Sequence, residues 1–173
     1  MIIAVDDFRK LVETDIADDD LEIRLQGIET AIRRYCNNDF NVRGTEHAVE
    51  IGGGKIILSP QPFKDCDSIQ ILAPQYKDRV FSVISTGDGW ISVNDPLRFE
   101  GAATIALVSY PPDVVAGVVN LMKWDISNRE KIGVKSESIS RWSVSYYDLD
   151  SNSLLGYPTS LLGFAKNHMR ARF

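Results

Sequence analysis

Hydrophobic positions recur with two different periods along this chain. Behind Asp6 and Asp7, the residues Phe8, Leu11, Val12 and Ile16 fall at helical spacing, and carboxylates at that place suit the positive end of a helix dipole. A short first helix is predicted. After Asp18-Asp19-Asp20, the residues Leu21, Leu25, Ile28, Ile32 and Tyr35 alternate steps of four and three. They line one stripe of a longer second helix that should stop near Asn37-Asn38. Asp19 and Glu22 have the spacing of a capping box, with Asp in place of Ser or Thr. Glu22, Arg24, Gln26, Glu29, Arg33 and Arg34 fall on the other faces, a polar surface expected to meet water or a neighbouring subunit.

From about residue 45 to 110 the helical period gives way to a period of two and to short apolar runs. Strands are predicted at 47–51, 55–58, 68–73, 80–84, 90–93 and 104–110. Strong breakers divide them: Gly52-Gly53-Gly54, Ser59-Pro60-Gln61-Pro62, Ala73-Pro74, Thr86-Gly87-Asp88-Gly89 and Asn94-Asp95-Pro96. Pro111-Pro112-Asp113 then opens a third helix whose apolar face holds Val114, Val115, Val118, Leu121, Met122 and Trp124 and which fades by Gly133. The polar, Ser-rich stretch from 135 to 147 shows a period of two at Trp142, Val144 and Tyr146, which reads as a strand or an extended arm. Residues 148–156 read as a loop, and Pro158 starts a last helix carrying Leu161, Leu162, Phe164, Ala165 and Met169. The fold class is α+β: a small helical bundle from 1–44 and 111–173, with an antiparallel β block inserted at 45–110.

Composition narrows the function classes. With 173 residues, 44% hydrophobic and 25% charged, the chain is an ordinary globular one, unlike disordered, collagenous or disulfide-stapled chains. Against 24 acidic residues stand 19 basic ones, a net charge of -5, which disfavours a dedicated nucleic-acid binder. Cys36 and Cys66 match no CxxC or Cys/His spacing and read as reduced, partly buried thiols. The apolar start, Met1 to Val5, is too short for a signal-peptide core, and no run approaches the roughly 20 apolar residues of a membrane span. A protein made and folded in the cytosol, without a membrane partner, is expected.

No chemical motif survives inspection. Gly52-Gly53-Gly54-Lys55 lacks the Ser or Thr and the helix that a phosphate loop needs, and reads as a hairpin turn. Asp18, Asp19 and Asp20, and the Thr86 to Gly89 turn, lack the alternating ligands of a calcium loop. His47 and His168 have no partner at metal-ligand spacing. No catalytic, cofactor-binding or metal residue is expected. Charge, however, is uneven: residues 1–20 hold seven acids against Arg9 and Lys10, while 154–173 hold Lys166, Arg170 and Arg172 and no acid. One reading is that each end complements its helix dipole; the other is that acidic and basic surfaces meet partners, including head-to-tail self-assembly.

Three segments carry a resemblance to a known family. The first is the opening helix pair, from Asp18-Asp19-Asp20 through the Leu21 to Tyr35 stripe to Cys36-Asn37-Asn38-Asp39-Phe40. The second is the helix after Pro111-Pro112, through Val114, Val118, Leu121 and Trp124. The third runs Lys135-Ser136-Glu137-Ser138-Ile139 to Trp142-Ser143-Val144-Ser145-Tyr146, then a final helix with a basic end. In order and texture they resemble the head-tail connector, or adaptor, proteins of long-tailed bacteriophages and related prophage products of Gram-positive bacteria. Residues 45–110 look like the strand-containing insert of longer relatives.

The resemblance implies a structural virion protein, not an enzyme, with no cofactor. It would be assembled in the host cytoplasm as a homo-oligomeric ring, a dodecamer, under the portal protein at the head-tail interface. The ring would extend the DNA channel and offer its lower face to the next connector or stopper protein. An acidic chain suits a wall that genomic DNA passes without specific binding, because a basic lining would hold phosphates through counterion release. In such families the C-terminal segment engages the portal, which makes Leu161, Leu162, Phe164, Met169, Arg170 and Arg172 the expected docking residues, as an amphipathic helix in a groove. The alternative is that this helix completes the protein's own bundle. Trp142, Val144 and Tyr146 would form an inter-subunit arm, with an intramolecular strand as the alternative. Rival functions are a tail-completion or stopper protein of the same assembly, and a small cytosolic enzyme or ligand-binding domain.

Overall fold

The computed structural model describes residues 1–76, 79–128, 136–139, 142–145 and 153–171. The fold is α+β, and the chain divides into two compact units, one of residues 2–37 with 111–173 and one of residues 38–110.

In the helical unit, α1 spans Val5–Leu11 and buries Phe8. It ends before Ile16 because Arg9 organises the link to the next helix. The Arg9 guanidinium donates to the Thr14 and Ile16 carbonyls at 2.9 and 2.6 Å and grips the Asp18 carboxylate at 2.6 to 2.8 Å. Helix α2, Asp18–Cys36, has Ala17 at its N-cap and no side-chain cap, so the Asp19/Glu22 capping box does not form. Asp18, Asp19 and Asp20 instead occupy the first turn, where carboxylates meet the exposed N–H groups and the dipole. Leu21, Leu25, Ile28 and Ile32 are buried as predicted, and the stripe continues one step of four to Cys36 while Tyr35 is only half-buried. Glu29 and Arg33, expected on a wet face, are 5% and 4% exposed, because the contact face of α2 is wider than its apolar stripe. The helix stops at Asn37, which takes the left-handed conformation at φ 48°.

Helix α3, Pro112–Asn128, buries Val114, Gly117, Val118, Val119, Leu121, Met122 and Asp125, with Val115 and Trp124 half-buried. After it come two short antiparallel pairs. Strands β7 (Ser136–Ile139) and β8 (Trp142–Ser145) pair with each other, Ser136 opposite Ser145 and Ile139 opposite Trp142. The stretch expected as a single strand or arm thus contains two strands paired with each other. Strand β9 (Ser153–Leu154), within the span read as a loop, pairs with β10 (Tyr157–Pro158), where the last helix was expected to start, across a turn in which Leu155 has φ 57°.

The predicted last helix is a correction as well. Thr159–Leu162 form one 3-10 turn, followed by the four-residue α4, Gly163–Lys166. It is too short to present an amphipathic face. Leu162 and Ala165 are fully buried in their own chain, and the Phe164 ring lies on Gly117 of α3. A Cβ at Gly117 would stand 2.3 Å from that ring, so only glycine permits the approach. The Cys36 thiol donates to the Ala165 carbonyl at 3.4 Å, and the Arg170 amide to the Cys36 carbonyl at 2.8 Å, satisfying a C-terminal carbonyl of α2.

The second unit is a closed antiparallel barrel in the order β1-β2-β5-β4-β3-β6. Its strands are β1 (His47–Gly52), β2 (Lys55–Ile57), β3 (Ser68–Ile71), β4 (Phe81–Gly87), β5 (Trp90–Val93) and β6 (Gly101–Val108). The β1–β2 turn is Gly53-Gly54 with φ of 58° and 75°, the doubly positive conformation that a two-residue hairpin requires. Val49, Ile51, Ile56, Ile69, Ile71, Phe81, Val83, Ile91 and Ile105 fill the interior, with Phe63, Tyr76 and Leu97 in the same cluster. A barrel of this size is filled by side chains rather than hollow. The unit begins at Asn38, ahead of the boundary expected at 45, because its entry segment is bonded to β6. Asn41 bridges to Val108, Val42 donates to the Leu107 carbonyl at 2.9 Å, and the Phe40 and Tyr110 rings lie 5.0 Å apart.

Gly117→Val should destabilise the protein by about 1–3 kcal/mol through overpacking against Phe164. Urea denaturation checks this, and restored stability is expected when Phe164→Ala is added.

Candidate functional site

Helix α3 of the helical unit carries a buried carboxylate. Asp125, on α3 one turn beyond Leu121 and Met122, is 1% exposed. Its Oδ2 accepts from the Arg24 guanidinium of α2 at 3.0 Å, and its Oδ1 lies 3.5 Å from the Tyr157 hydroxyl of β10. Tyr157 is itself fixed by an edge-on contact with Trp124 at 5.6 Å. Three elements therefore converge on one side chain, and burial of a charge is tolerated because it is paired and hydrogen-bonded. Asp125 is the only partner of Arg24 among the described residues, and the Arg24 side chain is 38% exposed.

Two clefts meet at this ion pair. One, of about 420 Å³, is lined by Arg24, Gly27, Ile28, Ala31, Asp125, Leu155 and Tyr157 and is largely apolar. The other, of about 510 Å³, is lined by Glu13, Thr14, Asp15, Ile16, Arg24, Asp125 and Ile126. Its side chains carry three carboxylates against one guanidinium. The arrangement can hold a polypeptide segment by an apolar anchor and a basic neighbour.

At the other end of α2 and α3 sits the C-terminal corner. The expected docking residues divide here. Leu162 is buried, Leu161 and Phe164 are half-buried, and Phe164 is spent on Gly117, whereas Met169 is 52% exposed and Arg170 is exposed. Arg172 lies outside the described residues. His168 pairs with Asp113 at 2.8 Å, and that hydrogen bond holds the Asp113 carboxyl below the usual carboxylate range. Of the expected arm, Trp142 and Val144 lie in β8, and Tyr146 is outside the described residues.

The remaining motifs fall as read: Gly53-Gly54 and Asp88-Gly89 are hairpin turns. The His47 ring stands edge-on to Phe63 at 5.6 Å. Among the described residues no group of three His, Cys, Asp or Glu could hold a metal ion, and no helix is long and apolar enough to cross a membrane. Sequence reasoning missed Asp125 and Tyr157. The available signal was a carboxylate three and four residues after Met122 and Leu121, on the apolar face of α3.

Arg24→Ala should cost about 2 kcal/mol, since it takes the guanidinium away from a buried carboxylate, discounted for the exposure of Arg24. Chemical denaturation at neutral pH measures it. Burial pushes the Cys36 thiol up to about 11, whereas Cys66 is exposed. A thiol reagent should therefore modify Cys66 first and leave Cys36 protected until unfolding. Because the folded value is raised, the contribution of Cys36 to stability is full below the ordinary thiol range and is lost as pH rises towards about 11. No protein-family model matches the chain, and neither does any curated protein sequence.

Proposed function

We propose that the protein is a structural head-tail connector of a tailed phage or prophage, forming a ring on the portal at the capsid vertex. It acts without catalysis, and its place is the virion. The observation that carries this reading is how the resembling segments are distributed. The opening helices and the helix after Pro111-Pro112 build one compact unit, with the C-terminal segment closing it. The barrel is a separate unit spliced between Asn37 and Pro111, which is the place of the insert in longer connectors. The filled barrel interior supports a spacer or contact module rather than a container for a small ligand.

The C-terminal part of this reading changes with the structure. Leu162 is buried and Phe164 packs on Gly117, closing the helical unit, so the amphipathic docking helix expected there is not on offer to a portal. The net charge of -5 supports a channel wall that does not retain DNA.

The test is to sequence the DNA flanking the gene and co-express the protein with any portal encoded beside it. A portal gene upstream, tail genes downstream, and a stable ring on the purified portal are expected. Binding to a tail component in place of the portal would make this a stopper. Metabolic neighbours with no portal binding would overturn the proposal.

A further inference from the structure

Two surfaces of the helical unit are left over when its core is complete, and they complement each other. The first surrounds Arg24. Ile23, 67% exposed, stands one turn before Gly27 on α2, and Leu155, 45% exposed, lines the apolar cleft across from it. Beside that cleft, Glu13 and Asp15 give the second cleft its negative excess. The second surface is the C-terminal corner, where exposed Met169 stands between exposed Lys166 and Arg170 in a stretch, 154–173, without an acidic residue.

The two lie at opposite ends of one antiparallel helix pair. Arg24 meets Asp125 at one end, while Cys36 and Asp113 hold the C-terminal corner at the other. Arg24 and Cys36 are separated by about 18 Å of helix at the usual rise per residue. Surfaces so placed cannot meet within one chain, but they can meet between chains.

We infer that the helical unit docks head-to-tail on a second copy of itself, Met169 seating in the apolar cleft by Gly27 and Leu155 and Lys166 and Arg170 facing Glu13 and Asp15. The inference rests on the ring reading above and supplies the contact between neighbours. Met is suited to an irregular cleft because its unbranched chain adapts its shape. The opposed charges steer the encounter and fix which end meets which. The contact is heterologous, so each copy keeps one surface free for the next, and the series closes as a ring or continues as a filament.

Disulfide trapping of the full chain tests it. In a Cys66→Ser background, Gly27→Cys and Met169→Cys are combined; a Cβ at Gly27 meets nothing within 4 Å, so the first fits. Mild oxidation at low ionic strength should give a ladder of dimers, trimers and longer species, which isologous pairing cannot produce. Either single variant should stay monomeric, because its cysteine then faces no thiol on the neighbour; dimers from a single variant would trace the ladder to symmetric pairing and overturn the inference. Adding Lys166→Glu with Arg170→Glu should reduce trapping about tenfold, and further adding Glu13→Lys with Asp15→Lys should restore it. Sedimentation of the same charge variants without the new cysteines should rank them alike. Absence of a ladder, a ladder ending at dimers, or one indifferent to charge reversal overturns the inference. A ladder from a protein that binds no portal would keep this contact and remove the connector function; a portal-bound ring without a ladder would do the reverse.

Discussion

The pairing of β1 with β6 is the constraint from which the rest of the architecture follows. Five residue pairs, from His47 opposite Ile105 to Ile51 opposite Gly101, close the barrel and bring its first and last strands side by side. The bridge from Asn41 to Val108 and the Phe40–Tyr110 contact extend that adjacency to the two ends of the unit. A segment of more than seventy residues can therefore leave and rejoin the helical unit without prising α2 and α3 apart. Its loop-closure cost is met inside the barrel, by ladder hydrogen bonds and a shared apolar interior, rather than by the helices.

The helical unit solves a different problem. Two helices and the seven-residue α1 offer limited apolar area, and α2 is amphipathic rather than apolar. The C-terminal segment compensates by laying Leu162, Phe164 and Ala165 over α3 and the end of α2. Its own helix is only one turn long, so its position comes from tertiary bonds: the Arg170 amide on the Cys36 carbonyl, the Asn37 side chain on the Ala171 carbonyl, and His168 on Asp113. Opposite this, the Arg24, Asp125 and Tyr157 group ties the same helices at their other end. Apolar packing and a polar anchor thus divide the length of α2 and α3 between them.

Much of this was legible in the sequence. The α2 stripe, the β block with its Gly53-Gly54 turn, and the α3 face follow from periodicity, because burial on one face imposes a regular spacing. What periodicity missed was set by tertiary partners. The Asp19/Glu22 pattern looked like a cap, but Arg9 reaches across to Asp18 and the chain enters the helix at Ala17. Leu161, Leu162, Phe164 and Met169 looked like one helical face, yet the segment folds as a 3-10 turn and a single α turn that follow the surface of α3. Trp142 and Val144 alternate as a strand should; that their partner is Ser136–Ile139 is a pairing that a period of two does not announce. Of the candidate site, Arg24 and Asp125 were visible only as charges on separate helices, and nothing local tells which charges a fold will bring together.

The closed barrel also bears on how these molecules behave when crowded. An open sheet ends in rows of unpaired N–H and C=O groups, ready templates for another chain's strand. Here β1 and β6 satisfy each other, so the six-stranded sheet has no edge to offer. Ile57 and Ile84 are exposed on its outside, but as side chains on a paired backbone. Copies of the barrel held at high local concentration can touch, slide and separate without their backbones knitting into a continuous cross-β stack.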